Sequence, residues 1–438
     1  MPERVPRVVH DAVVVTRELG FRYLWIDRYC INQQDADTKH QQIRQMWSIY
    51  ASAYITLIAA AGNGPNHGLP GVSLPRRQDR EKRGAVTIAD NSSIADEIRN
   101  SMWASRAWTF QENLASRRKI FFTDMGASYA CEEYFKTDLG QKILQEAERL
   151  DEVLFDALRY SLGAAKSFIQ GENNILLALR NIEAYCKRSL TYDSDSLNAI
   201  IGMLGSLSQS KVDPVDHVWG TLLFPVKTLS SVESYQLCLD WFHGSRTRRR
   251  NGYPTWSPLA WEGSSLYTLY HERPKPISCK ASSDGPIRFD SAHKIYLLHE
   301  DGEINLDAYA RSRRDAFGRI KAGVTATAAP TLLKFESARV LPLLSRIVDR
   351  THFTTYHVAV QQPDTEDLLL DCHWDSEPHG PEAELIGIYL FEDRSGRINT
   401  MVLKPVRNYY ERIGMAYLPA EDRSCAIWSE YTENIIVG

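Results

Sequence analysis

Two short stretches hold most of the side chains that could do chemistry. The first runs Trp25-Ile26-Asp27-Arg28-Tyr29-Cys30-Ile31-Asn32-Gln33. There an apolar run ends on an acid, and a loop of polar groups leads towards a helix N-terminus. In open parallel sheets, ligands bind beyond the carboxyl ends of the strands, which puts Asp27, Asn32 and Gln33 where a binding site would form. The same residues also suit a purely structural role, with Asp27 capping the following turn and Asn32 and Gln33 satisfying loop amides. The second stretch is Arg106-Ala107-Trp108-Thr109-Phe110-Gln111-Glu112. Arg106, Thr109 and Glu112 recur every three residues and can share one helical face. An arginine beside a carboxylate holds it ionised and oriented, and Trp108 offers a ring on which a base could stack. A partly buried link between helix and sheet accounts for Arg106 and Glu112 equally well.

Other chemistries find less support. Thiol catalysis would need Cys30 beside His10, His40 or His67, and cysteine is so often buried that Cys30 reads as an inert core thiol. The twelve histidines include no H-x-x-x-H pair, and the seven cysteines include no C-x-x-C pair. No metal site is therefore expected, and the odd cysteine count points to free thiols in a reducing compartment. No glycine-rich phosphate loop of either common pattern is present. A formal charge of −4 leaves no basic surplus for nucleic acid. The basic runs at 246–250 and 311–314 carry no interleaved aromatics and read as solvated loops. The longest apolar run, Tyr54 to Ala61, is far short of the roughly 18–20 residues a membrane span needs. The first twenty residues are too charged for a signal peptide, so a cytoplasmic protein is expected.

The elements that must position these groups follow from periodicity. Chain length, at 438 residues, allows two or three domains at roughly 100–200 residues each. Val5, Val8, Val9, Ala12, Val13, Thr16 and Leu19 recur at helical spacing, with Gly20 as the stop. Phe21 to Ile26 reads as a buried strand ending on Asp27. A second helix, capped by Asp35 or Asp37, places Ile43, Met46, Trp47, Tyr50 and Tyr54 on one face. Tyr54 to Ala61 reads as a second strand, so strand, helix and strand should form a parallel crossover. Residues 62–105 form a long, charged connection. Trp108 to Ala115 reads as a helix, followed by strands at Lys119–Thr123 and Ser128–Cys131. Residues 138–210 turn helical, around Ile143 to Leu158 and Ile175 to Tyr185. Strands then dominate: Lys294–Leu298, Glu303–Ala308, Tyr356–Val360, Leu368–Cys372, Leu385–Leu390 and Thr400–Leu403, in the spacing of an antiparallel sheet or sandwich. The expected division is an α/β domain over 1–137, a helical segment over 138–210 and a mostly β domain over 211–438.

Together these stretches resemble the fungal heterokaryon incompatibility (HET) domain family. The resemblance rests on Tyr23-Leu24-Trp25-Ile26-Asp27 with Cys30-Ile31-Asn32-Gln33, then Met46, Ile49-Tyr50 and Ala53, then Arg106, Trp108-Thr109 and Gln111-Glu112 with Leu114 and Ser116. Leu190-Thr191-Tyr192 with Asp195, Tyr253-Pro254-Thr255-Trp256-Ser257 with Trp261, and Tyr410 to Gly414 are similar to segments that follow the domain in many such proteins. The family opens with a strand and a Ser-Tyr-x-Trp-Gly block, which has no counterpart here. The resemblance therefore implies an N-terminally shortened domain, through a misassigned start or a degenerate, inactive copy. It implies a flavodoxin-like parallel sheet similar to the TIR domain, incomplete at its N-terminus, and a role in non-self recognition and programmed cell death.

Two kinds of function follow from the resemblance. One is a signalling module that self-associates or binds partner proteins, with no cofactor. The other is an NAD glycohydrolase, with NAD as substrate and no metal. In the second, Glu112, or Asp27 in its place, stabilises an oxocarbenium-like state. Arg106 then orients the acid or meets a phosphate, Trp108 stacks on the base, and Asn32 and Gln33 line the site. The resemblance leaves open whether the protein is an enzyme.

Overall fold

A computed structural model describes residues 5–32, 34–77, 81–83, 86–88, 91–131, 134–137, 140–143, 174–210, 214–224, 229–244, 247–267, 286–300, 302–314, 332–346, 356–360, 368–375, 383–425, 428–430 and 434–438. The chain forms two compact units. The first gathers Met1–Glu172, Arg188–Thr191 and Asn198–Met203, and the second the remainder.

The first unit begins with helix α1 (Arg7–Glu18), which Pro6 precedes and Gly20 ends at φ +79°, a conformation open to glycine at little cost. Asp11 on α1 is fully buried. Its carboxylate accepts from the Leu69 amide at 2.7 Å and the Ser73 hydroxyl at 2.6 Å, tying the following loop to the helix. Short α2 (Asp27–Cys30) and long α3 (Ala36–Ser52) come next, then β1 (Thr56–Ala59). A small hairpin, β2 (Glu81–Arg83) and β3 (Val86–Ile88), leads to α4 (Asn91–Asn100), α5 (Met102–Ser105) and α6 (Trp108–Ala115). Strands β4 (Arg118–Phe122), β5 (Ala127–Cys131), β6 (Tyr134–Thr137) and β7 (Gly140–Ile143) follow.

These strands form one mixed sheet in the order β1-β4-β5-β6-β7. Only β1 and β4 run parallel; the other pairs are antiparallel. The parallel character expected of the whole sheet is thus confined to one pair. The reason lies in the links: β4 and β5 are joined by a turn in which Thr123 and Gly126 bond to each other, far too short for a crossover. The strand expected at Phe21–Ile26 is not formed. That segment is extended at Ile26, with φ −135° and ψ 122°, but finds no ladder among the described residues, and an extended run without a neighbour is not a strand. The crossover joins β1 to β4 instead, through the 62–105 connection, which holds two helices that its charge density conceals. Ile94 and Ile98 of α4 are buried against Ile58, Phe121, Ala130 and Phe135.

The second unit contains the helix Asn174–Cys186, expected around Ile175–Tyr185; of the helical run expected from Ile143 to Leu158, Ile143 instead ends strand β7, paired with Tyr134, and the rest lies outside the described residues. The strand-rich region is antiparallel apart from one short pairing, and part of it closes on itself. Tyr409–Leu418, Leu368–Trp374, Tyr356–Val360, Arg339–Arg346, Glu384–Glu392 and Ile398–Val406 pair in that order, and the last returns to the first. A closed ring has no edge to protect, and Leu341, Val358, Leu370, Leu385, Val402 and Ile413 pack together as one of its cores. The strand expected over Glu303–Ala308 stops at Asn305, because the Asn305 carboxamide accepts from the amides of Asp307 and Ala308 and starts a helix, Leu306–Ser312. Deep in this unit the Arg412 guanidinium meets the Asp375 carboxylate at 2.8 Å, with both side chains fully buried. It also donates to the carbonyls of Leu239 and Trp241.

Candidate active site

The site forms in the first unit, where α2, α3 and α6 approach one another. Trp25 packs edge-on against Tyr50 of α3, with ring centroids 5.6 Å apart, and this contact sets the segment that ends on Asp27 beside the helix. Tyr50 and Glu112 of α6 are half-buried and joined through a side-chain hydrogen bond, in which the phenol donates to the carboxylate. Asp27, exposed at the first position of α2, is close enough for its charge to act on both.

The electrostatics follow from this arrangement. Burial pushes the Glu112 carboxyl up, from 4.5 to about 7, and the neighbouring Asp27 charge adds to the rise. The Tyr50 hydrogen bond, Arg106 and Arg188 pull it down, by less. Tyr50 itself is pushed well above the ordinary phenol range, first by burial and then by the two carboxylates, and stays protonated as a donor. A half-buried carboxyl held back from ionising, with a second, exposed carboxylate close by, marks Glu112 as a candidate for acid–base or charge-stabilising work.

The framework behind Glu112 is well bonded. Its carbonyl accepts from the Ser116 hydroxyl at 2.7 Å, and that hydroxyl meets Thr56 of β1 at 2.7 Å. Thr109 is buried and donates to the carbonyls of Trp103 and Arg106. It accepts from Arg188 Nη1 at 3.2 Å, and Arg188 also donates to the Arg106 carbonyl at 3.2 Å. The Arg188 guanidinium lies over the Phe110 ring, 4.9 Å from its centroid. Arg188 thus braces the turn into α6 from outside the two expected stretches.

Of the residues singled out from sequence, Asp27, Arg106 and Glu112 come together. Trp108 opens α6 and is half-buried. Asn32 is exposed and accepts from the Gln34 amide at 3.1 Å, a local loop bond. Gln33 lies outside the described residues. Cys30 is exposed rather than a core thiol, because it ends the short α2 at the surface; no histidine hydrogen-bonds to it among the described residues. Sequence reasoning missed Tyr50 and Arg188 as members of the site. The signal for Tyr50 was a phenol on the inner face of a helix, since a buried hydroxyl needs a partner. Arg188 carried no comparable signal. No group of three or more potential metal ligands exists among the described residues, and no helix there is long and apolar enough to cross a membrane.

Residues 1–112 match the family model described as Heterokaryon incompatibility protein (HET), so this N-terminal part of the chain is similar to a HET domain. The match takes in Asp27, Tyr50, Arg106, Trp108 and Glu112, while Arg188 lies beyond it. A search of the curated proteins gave no match, and a search of the solved structures gave none either.

Proposed function

We propose that the HET-like unit hydrolyses the glycosidic bond between nicotinamide and ribose in NAD, as the death-inducing step of a non-self response. The observation that carries this reading is the Glu112 carboxyl, held by Tyr50 and driven up to about 7 by burial and Asp27. A carboxylate that ionises reluctantly gains most from a positive charge arriving beside it. The ribosyl oxocarbenium ion is such a charge. As the bond breaks, its electron pair leaves with nicotinamide. Water then adds to the ribose carbon, and its proton passes to Asp27 or Glu112. Arg106, exposed at the turn into α6, suits a phosphate, and Trp108 suits stacking on a base. The parallel β1–β4 pair with helices between its strands is in keeping with a TIR-like layer.

Purified protein incubated with NAD should release nicotinamide, the rate should rise with pH through about 7 as Glu112 ionises, and Glu112→Gln should abolish it. Equal turnover in both proteins would refute the assignment. The second reading is a death-signalling interaction module, which the exposed Tyr23 and Tyr54, at 85% and 65%, favour. No nicotinamide release from either protein, together with concentration-dependent assembly, would select it.

A further inference from the structure

We propose that His243 is an acid-operated trigger within the second unit: on taking up a proton it breaks the buried Asp375–Arg412 pair and opens the seam between the strands Leu368–Trp374 and Tyr409–Leu418. Trp241–His243 pairs antiparallel with Ser265–Tyr267, so Trp241, His243, Ser265 and Tyr267 share one face. All four are buried. The His243 ring lies 5.2 Å from the Trp241 ring and 5.6 Å from that of Trp261, centroid to centroid. Its Nε2 stands 3.7 Å from Asp375 Oδ1, beyond hydrogen-bond reach. Neither His243 nitrogen nor that oxygen has a hydrogen-bond partner among the described residues. The other Asp375 oxygen accepts from Arg412 Nε at 2.8 Å. One carboxylate thus stands between a fixed cation and a neutral base.

Asp375 and Arg412 close one end of the seam. The Asp375 amide donates to the Ile413 carbonyl at 2.7 Å, next to the Trp374–Gly414 pair, and the Thr247 hydroxyl donates to the Asp375 carbonyl at 3.0 Å. Arg412 lies over the Trp241 ring, 3.4 Å from its centroid. Burial pushes the His243 imidazole down, from 6.5 to about 4; Asp375 pulls it up, by less, Arg412 adds to the fall, and the Ser264 carbonyl exerts the weakest pull. Nearby, Arg249 covers Trp261 at 5.2 Å and feels the Asp375 charge, while Glu411 pairs with Lys404 at 3.1 Å. His373 and Tyr417 pack on Phe242, on the opposite face of the ribbon. An imidazolium at His243 sets a second cation against Arg412 in a site cut off from water, where like charges repel strongly. The opened form, with an ordinary imidazole, takes up the proton freely, so acid favours opening. The device lies within the second unit and does not depend on the Glu112 chemistry.

Cys372 sits in the seam opposite Ala416 and is buried, so a thiol reagent reaches it only after the seam opens. The full-length protein is labelled with dithiodipyridine, which reacts with thiols in acid. Modification of the Cys372 peptide is followed by mass spectrometry, each rate taken relative to glutathione at the same pH. In the wild type this relative rate should rise about tenfold for each unit of pH lost between about pH 6 and about pH 4.5, and return to its starting value on neutralisation. His243→Phe, which takes no proton, should hold the rate flat. Because that ring could disturb the packing, His243→Gln gives a second test and should be flat as well. A wild-type rate that does not change with pH, or an equal rise in either variant, would overturn the proposal. So would a wild-type rise that neutralisation fails to reverse, since that is acid unfolding rather than a switch.

Discussion

Glu112→Gln should make the protein more stable at alkaline pH, and the size of the gain can be worked out. In the folded chain Glu112 holds its proton up to about 7, against an ordinary value of 4.5. Between those limits the folded state binds more protons than the unfolded one, so stability falls as pH rises and levels off on either side. A shift of this size, at about 1.4 kcal/mol per unit, corresponds to about 3 kcal/mol at most. Solvent reaching the half-buried carboxyl reduces it to about 2 kcal/mol. Glutamine keeps the shape and the bond to Tyr50 but never ionises. The variant should therefore match the wild type near pH 4 and exceed it by about 2 kcal/mol at pH 8. Urea unfolding followed by tryptophan fluorescence, run on both proteins across this range, measures the difference. A difference that stays constant with pH would refute the argument that burial and Asp27 hold Glu112 protonated.

Asp27→Asn removes the charge that raises Glu112 and should move its titration towards acid, whereas Tyr50→Phe removes the donor that stabilises the ionised form and should move it towards alkali. Carbon-13 NMR of the Glu112 carboxyl follows both. Arg188→Met strips donors from the Thr109 hydroxyl and the Arg106 carbonyl and should cost about 2–3 kcal/mol in denaturant unfolding. Asp375→Asn leaves the buried Arg412 guanidinium without its counter-charge and should cost about 3–5 kcal/mol, with a matching fall in melting temperature by calorimetry.

Much of the second unit was legible because alternation of apolar and polar residues has a single structural meaning. The strands at Tyr356–Val360 and Lys294–His299 appear within a residue of their expected bounds. Ring closure was not legible, since it depends on Ile398–Val406 meeting Tyr409–Leu418 while also pairing with Glu384–Glu392. In the first unit α6 occupies the residues its pattern marks, yet Phe21–Ile26, with equally good strand composition, remains unpaired. Strand propensity describes a side chain's fit to a sheet, not the presence of a neighbour. The gathering of Asp27 and Glu112 could be posed from sequence only as a possibility. What brings them together is the packing of Trp25 on Tyr50, and a contact between a loop and a helix face leaves no periodic mark.

The first unit is completed by Arg188–Thr191 and Asn198–Met203, with the Ser189 backbone bonded to Ser105 and Ala107 at 2.8 and 2.9 Å. During synthesis, then, the ribosome releases everything the family signature covers well before the piece that closes it. A nascent chain folds from its N-terminus as it emerges, so the early segment must wait, unfinished, for a clasp encoded downstream. Excising the family segment alone would leave out that clasp, and any assay on such a fragment would test an incomplete fold.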